Sequence, residues 1–192
     1  MFIHLRPALV MLAFFTMLTG VVYPLAMTGL AQVALPTAAN GSILMRGNVA
    51  VGSALIGQSF TSDRYFRPRP SAAGQNAYDA ASSSGSNLGP LSKKLIERVE
   101  GDVAALRRAG ASVVPAEAVT ASASGLDPHI SPAFAALQVA RVAAARNLPE
   151  ARVRALVQAL TKHPLLGLIG EPRLNVLELN LALDAGLPGG AG

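Results

Sequence analysis

The strongest pattern in the chain is an apolar one. No charged residue stands between Pro7 and Met45, and Ala8–Leu30, 23 residues, is the most apolar part of that stretch. As an α-helix it would extend about 35 Å, enough to cross a roughly 30 Å hydrocarbon core with some tilt. A secretory signal carries an apolar region of only about 7–15 residues. The length therefore predicts a retained transmembrane helix, with Gly29-Leu30-Ala31 as the one small-x-small pattern that a cleavage reading could use. Pro24 falls inside the span, where it kinks a helix and frees a carbonyl that the Thr16 or Thr19 hydroxyl can help to satisfy. Gly20, Thr16 and Thr19 are small positions suited to close helix contact. The span itself holds no acidic or other ionisable path, so the chain carries no proton or ion relay of its own. Its flanks lean toward an N-terminus inside: His4, Arg6 and the terminal amine precede it, and only Arg46 follows within about 20 residues. Residues 1–35 thus read as tail and span, and residues 36–192 as one water-facing domain.

Beyond the span the periodicity changes several times. Residues 36–41 read as a turn. Ser42–Met45 and Val49–Val51 flank Arg46-Gly47-Asn48 as a hairpin, and Leu55-Ile56 and Tyr65-Phe66 suggest further short strands. From Arg67 to Pro90 the chain turns to Pro, Ser, Ala, Gly and Asn, a loop of roughly 24 residues. Loops that long are uncommon in compact domains unless they are functional or disordered. Leu91, Leu95, Val99, Val103 and Leu106 then recur at helical spacing, ending near Gly110. Ser131-Pro132 opens a second helix running to about Arg146, with a serine cap and proline at the first position. A third starts at Pro149-Glu150 and ends at Lys162-His163-Pro164. In 174–184 the leucines alternate like a strand, but Asn175 with Glu178 resembles a capping box and Gly186 suits a helix end, which favours a helix. The domain reads as mixed α+β.

Composition narrows the chemistry. Apolar residues make up 51% and charged ones 14%, far fewer charges than in a soluble domain. There is no cysteine, hence no disulfide, thiolate metal site or cysteine nucleophile. The net charge of +5 is spread over scattered arginines with few aromatics, unlike a nucleic-acid interface. Gly52-Ser-Ala-Leu-Ile-Gly57-Gln58-Ser59 has P-loop spacing, but Gln58 stands where that motif needs lysine and no strand-then-helix pattern surrounds it. Gly52, Gly57, Gln58 and Ser59 are therefore weak nucleotide candidates. Ser82–Gly89 could form an amide nest, a solvated linker or a docked loop. Asp127-Pro128-His129 places an acid and an imidazole together, yet no nucleophile elbow accompanies them and local metal ligands are too few, so they read as turn residues before the Ser131 cap.

Several strings taken together are more specific. Leu5-Arg6-Pro7-Ala8, Gly20-Val-Val-Tyr23-Pro24-Leu25, Gly52–Gln58, Tyr65-Phe66 with Arg69-Pro70-Ser71-Ala72, Ser86-Asn87-Leu88-Gly89, Val119–Ser131 and Glu171–Asp184 stand in this order along almost the whole chain. They resemble the C-subunit family of the bacterial Kdp potassium-transporting P-type ATPases. Three departures concern the long loop: Ser84-Gly85 replaces paired glycines, Arg67-Pro68 replaces an aromatic or His with Gly, and Ala77 replaces a common proline.

The resemblance implies a non-catalytic accessory subunit of an inner-membrane potassium uptake complex. Its partners would be a potassium-translocating channel-like subunit, a P-type ATPase subunit and a small hydrophobic subunit. ATP and potassium would be handled by those partners, with no cofactor or metal bound here. The N-terminus would be cytoplasmic and the domain outside, near the ion entrance. Gly20, Tyr23 and Pro24 of the span and Arg69, Tyr78, Asn87 and Leu88 of the loop become the candidate partner contacts. Arginine and tyrosine suit interface centres because they couple large area with hydrogen bonding. The family is also described as a catalytic chaperone that raises the ATP affinity of the ATPase subunit. That rival reading requires nucleotide contact, and so a domain on the ATP side of the membrane.

Overall fold

A computed structural model of the protein describes residues 2–164, 167 and 169–186. It divides into two compact units, residues 1–51 and 52–192.

In the first unit a 3₁₀ turn (Phe2–His4) leads into α1 (Leu5–Met17), a π-turn (Leu18–Val22) and α2 (Tyr23–Ala34). Leu5–Ala34 is continuous over 30 residues with mean hydropathy 2.0, long and apolar enough to cross a membrane. The π-turn is how the helix absorbs Pro24. The Tyr23 amide reaches back five residues to the Leu18 carbonyl, so the ladder widens just where proline lacks a donor. The Thr19 hydroxyl donates to the Phe15 carbonyl at 2.7 Å, one turn back along its own helix, and not to the carbonyl that Pro24 frees. Residues 36–41 are not a simple turn: Pro36–Ala39 forms a short helix, α3, tied off by Asn40, whose side chain donates to the Pro36 carbonyl. The hairpin follows as β1 (Ile43–Arg46) and β2 (Val49–Ser53), which reaches into the second unit.

The second unit is built on helices with very short strands. After β2 no regular element occurs until α4 (Lys93–Arg108). A 3₁₀ turn (Ala116–Ala118), β3 (His129–Ile130), α5 (Pro132–Arg146), α6 (Glu150–Leu160), β4 (Leu174–Asn175) and α7 (Val176–Asp184) complete it. β3 and β4 pair antiparallel, His129 opposite Asn175 and Ile130 opposite Leu174. The caps are local. The Ser131 hydroxyl accepts from the Phe134 amide, and the Asn175 side chain accepts from Glu178 N–H at 3.1 Å. The second cap decides between strand and helix for 174–184. The alternating leucines do not mark a strand, because Leu177, Leu179 and Leu183 are all buried on α7. Asn147 takes the left-handed conformation that ends α5. Ile130, Phe134, Val139, Val142, Val153, Leu156, Val157, Leu174, Val176 and Leu179 form the core. The arriving apolar faces of α5, α6 and α7 explain why the C-terminal half is well packed.

Leu55-Ile56 and Tyr65-Phe66, expected as short strands, belong to none. Phe66 is nevertheless completely buried. Its backbone is held by two side-chain amides in place of a neighbouring strand. Asn180 on α7 accepts from Phe66 N–H at 2.8 Å and donates to the Phe66 carbonyl at 3.0 Å. Gln138 on α5 does the same to Arg67, at 2.7 and 3.0 Å. Both amides are almost fully buried, at 2% and 6% exposure, so each substitutes for a backbone partner that the burial would otherwise remove. Arg141 and Arg146 extend the grip: Arg141 donates to the Asp63 and Tyr65 carbonyls, and Arg146 to the Arg64 carbonyl while lying 5.0 Å over the Tyr65 ring.

Asn180→Leu keeps the volume but strands the Phe66 N–H and carbonyl. A buried unpaired group costs about 1–3 kcal/mol, so the variant is expected to lose roughly 2–5 kcal/mol of stability. Urea unfolding of the detergent-solubilised full chain, followed by tyrosine fluorescence, measures it. A loss below about 0.5 kcal/mol, the size of an ordinary surface change, would show that the amide clamp is dispensable.

Candidate functional site

The long loop is latched to the run 121–129. Ser71 is the first pin. Its hydroxyl donates to the Gly125 carbonyl at 2.6 Å and accepts from the Ala73 and Tyr78 amides. Tyr78 is the second. Its phenol donates to the Arg69 carbonyl at 2.7 Å. Ser83 and Ser84 then tie down to the Ser124 and Ala72 carbonyls. Gly125, at φ +68°, lets the strands of chain close up: a Cβ there would stand 2.6 Å from the Ser84 carbonyl oxygen.

The charged centre of this latch is Arg69 with Asp127. Arg69 Nη1 lies 3.0 Å from Asp127 Oδ2, and Asp127 Oδ1 accepts from the His129 amide at 3.0 Å, with the His129 ring 3.5 Å away. Asp127-Pro128-His129 is thus more than a turn. It joins the loop to β3, and the Pro128 carbonyl accepts from Val176 N–H at the head of α7. Hydrogen bonds from His129 and the nearby Arg69 guanidinium hold the Asp127 carboxyl below the usual carboxylate range, against the effect of burial. Burial and the Asp127 charge push the Tyr78 phenol above its ordinary value, so it remains a donor. An open cavity of about 680 Å³ borders this centre, lined by Leu55, Ile56, Arg69, Ser83, Asp127 and Pro128.

The predicted loop contacts fall into two groups. Arg69 and Tyr78 are brought together and turned inward, serving the domain's own latch. Asn87 and Leu88 lie further out. Asn87 is exposed, with φ +51°, and among the described residues the segment from Gly85 to Pro90 is tied to the chain around it only locally, by the Ser92 amide donating to the Gly89 carbonyl. Ala77 also has a positive φ, +59°, which proline cannot adopt, so alanine at this position permits a local backbone path that proline forbids. Gly20, Tyr23 and Pro24 all lie at the π-turn and its exit in the exposed apolar helix.

The Gly52–Ser59 stretch passes from β2 into turn and extended chain, and the next helix begins only at Lys93. The Gly57 amide donates to the Leu126 carbonyl at 2.8 Å. A Cβ on Gly57 would stand 2.6 Å from Tyr78 Cε1, and one on Gly52 would strike the Gln58 side chain and, at 2.9 Å, Leu177 Cδ2. Close packing accounts for both glycines. Sequence reasoning missed Ser71, Asn180 and Gln138. Only a buried polar side chain within an apolar helical face, as at Gln138 and Asn180, could have signalled them.

Because folding lowers the Asp127 pKa, its carboxylate contributes stability that is fully present above about pH 4, the unfolded value, and is lost as pH falls through the folded one. Asp127→Asn is therefore expected to unfold more easily than the parent chain at pH 6, with the gap closing as pH falls below about 4. Thermal unfolding across that range tests the sign. A gap that widens on acidification would contradict the latch electrostatics.

The family model described as "K+-transporting ATPase, c chain" matches residues 5–185. A potassium-transporting ATPase KdpC subunit of Allorhizobium ampelinum is 58% identical over 183 residues, 95% of this chain and 96% of the relative. The KdpC subunit of Caulobacter vibrioides is 58% identical over 187 residues, covering 96% and 94%, and that of Rhodospirillum rubrum 54% identical over 187 residues, covering 96% of each. With the match running from the apolar helix through the latch to α7, the chain belongs to the KdpC family of K+-transporting ATPase c chains.

Proposed function

We propose that this chain is a non-catalytic accessory subunit of an ATP-driven potassium uptake complex in the inner membrane. One observation carries the reading: 58% identity, over nearly the full length of both chains, with a protein named as a potassium-transporting ATPase KdpC subunit. In this reading the apolar helix is a single span with its N-terminus in the cytoplasm, and the domain lies outside. The span packs against partner helices along Gly20, Tyr23 and Pro24. The domain stabilises or regulates the potassium-translocating and ATP-hydrolysing subunits. ATP and potassium are bound by those partners, a small hydrophobic subunit completing the set.

The inward roles of Arg69 and Tyr78 shift the docking surface outward along the loop. Residues 85–91 are the part left for a partner, and Leu91 is 90% exposed there. Asn87 and Leu88 occupy its centre. Arg69 and Tyr78 act indirectly, by holding the base of the loop still, so that less ordering entropy is lost on contact.

Two experiments test this. The chain lacks cysteine, so Ser82→Cys in the exposed loop gives a single thiol. It is expected to react with a membrane-impermeant reagent on outer-membrane-permeabilised cells. Labelling only after the inner membrane is broken would put the domain inside and revive the nucleotide-contact reading. Asn87→Gly and Leu88→Ala are expected to weaken co-purification with the partner subunits about fivefold, near 1 kcal/mol, while leaving the chain's own thermal unfolding unchanged. Glycine at position 87 keeps the positive φ, so the first change removes only the side chain. Full co-purification and full potassium-stimulated ATP hydrolysis in both variants would show that the loop docks nothing.

A further inference from the structure

A second cavity, of about 710 Å³, opens on the other side of Arg69, between the start of the long loop, α4 and α5. Its size and mixed lining match small-molecule sites, which are mostly apolar with a few placed polar groups. Phe60, Leu106, Phe134 and Leu137 supply apolar surface. The charge on its wall is lopsided. Arg67, Arg69, Arg98 and Arg141 face one acid, Asp102.

Three of these guanidinium groups have partners within the domain. Arg67 pairs with Asp63, Arg69 with Asp127, and Arg141 bonds the Gln138 amide and two carbonyls. Arg98 forms no hydrogen bond or ion pair among the described residues, even with Asp102 one turn along α4. The Nε atoms of Arg69 and Arg98 are both buried without an acceptor. A buried donor left unmade is costly, and a charged one more so. Burial and the Arg67 charge also disfavour the Arg141 cation, which agrees with crowding of positive charge along this wall. The Nε edge of a guanidinium is half of the fork that grips a carboxylate or phosphate with two parallel bonds. At Arg69 the Nη1 is already given to Asp127, and at Arg98 no partner among the described residues engages the guanidinium.

We propose that this cavity is a binding site for a small amphiphilic anion, a phosphate or carboxylate head carried on an apolar group. The head pairs with the guanidinium groups of Arg98 and Arg69, which both line the cavity. The apolar part lies against Phe60, Phe134 and Leu137. Asp102 sets an upper limit on affinity by opposing the incoming charge. The site is independent of the docking surface at 85–91 and of the subunit reading, because binding is measured on this chain alone.

The test uses the full chain in a neutral maltoside detergent, with phenyl phosphate as probe and isothermal titration calorimetry as readout. Benzyl alcohol carries the apolar part without charge, and inorganic phosphate the charge without the apolar part. Both are expected to bind about tenfold more weakly than phenyl phosphate or not at all. Arg98→Gln is expected to raise the phenyl phosphate dissociation constant about tenfold. Asp102→Asn is expected to lower it about threefold by removing the like charge. Arg154→Gln, in an exposed pair with Glu150 outside the cavity, should change nothing. Competition by phosphatidylglycerol in mixed micelles would identify a lipid headgroup as the natural source, and its absence a soluble anion; either supports the site. Equal binding of inorganic phosphate or benzyl alcohol, displacement by ATP at matched concentration, or binding that neither Arg98→Gln nor Asp102→Asn alters would overturn it.

Discussion

Two side-chain amides hold the second unit together. Asn180 and Gln138 present the donor and acceptor that a neighbouring strand would have offered, and they present them to adjacent residues, Phe66 and Arg67. The substitution works because a primary amide presents an acceptor and a donor side by side on one edge, where they meet the N–H and C=O of a single residue. It allows a segment with no regular structure to bury an aromatic side chain at no cost in unpaired backbone. Within this unit the irregular segment before α4 is anchored by it. With Phe66 fixed, Arg69 reaches Asp127, Tyr78 closes on the Arg69 carbonyl, and Gly57 can pack beneath the Tyr78 ring.

The same arrangement explains what could be read from the residues in advance. Helices with local signals were legible: the serine before Pro132, the asparagine three residues before Glu178, and the apolar span all act within one or two turns of the chain. The long irregular segment was legible as irregular, since Pro, Gly and Ser dominate it. Its means of attachment was not. Asn180 and Phe66 are 114 positions apart and Gln138 and Arg67 are 71, and no pattern within a window of ten or fifteen residues carries such a pairing. Tyr65-Phe66 reads like a strand because one of the pair, Phe66, does enter the core. It does so without a ladder.

The candidate site divides in the same way. Asp127 and His129 looked like turn residues and do form a turn, but the acid's second oxygen goes to Arg69, 58 positions earlier. Arg69 and Tyr78 have the side chains of interface anchors, yet intramolecular partners claim them first. Residue type alone cannot tell the inside of a latch from the outside of an interface. Of the loop candidates Asn87 is exposed and Leu88 half-buried beside it. The family membership came from many short strings in order, a form of information that is not physical in any one of them.

The distance along the chain also sets a timetable. During synthesis residues 60–92 leave the ribosome long before the helices that grip them exist. At roughly 5–20 residues per second, the 114 positions from Phe66 to Asn180 take on the order of 6–20 s to complete. For that interval the segment waits without a hydrogen-bond partner for its buried aromatic residue. A stretch rich in large β-branched residues would be an aggregation hazard under those conditions. One built largely from serine, alanine, glycine and proline can wait safely until the residues that hold it in the native fold have been made.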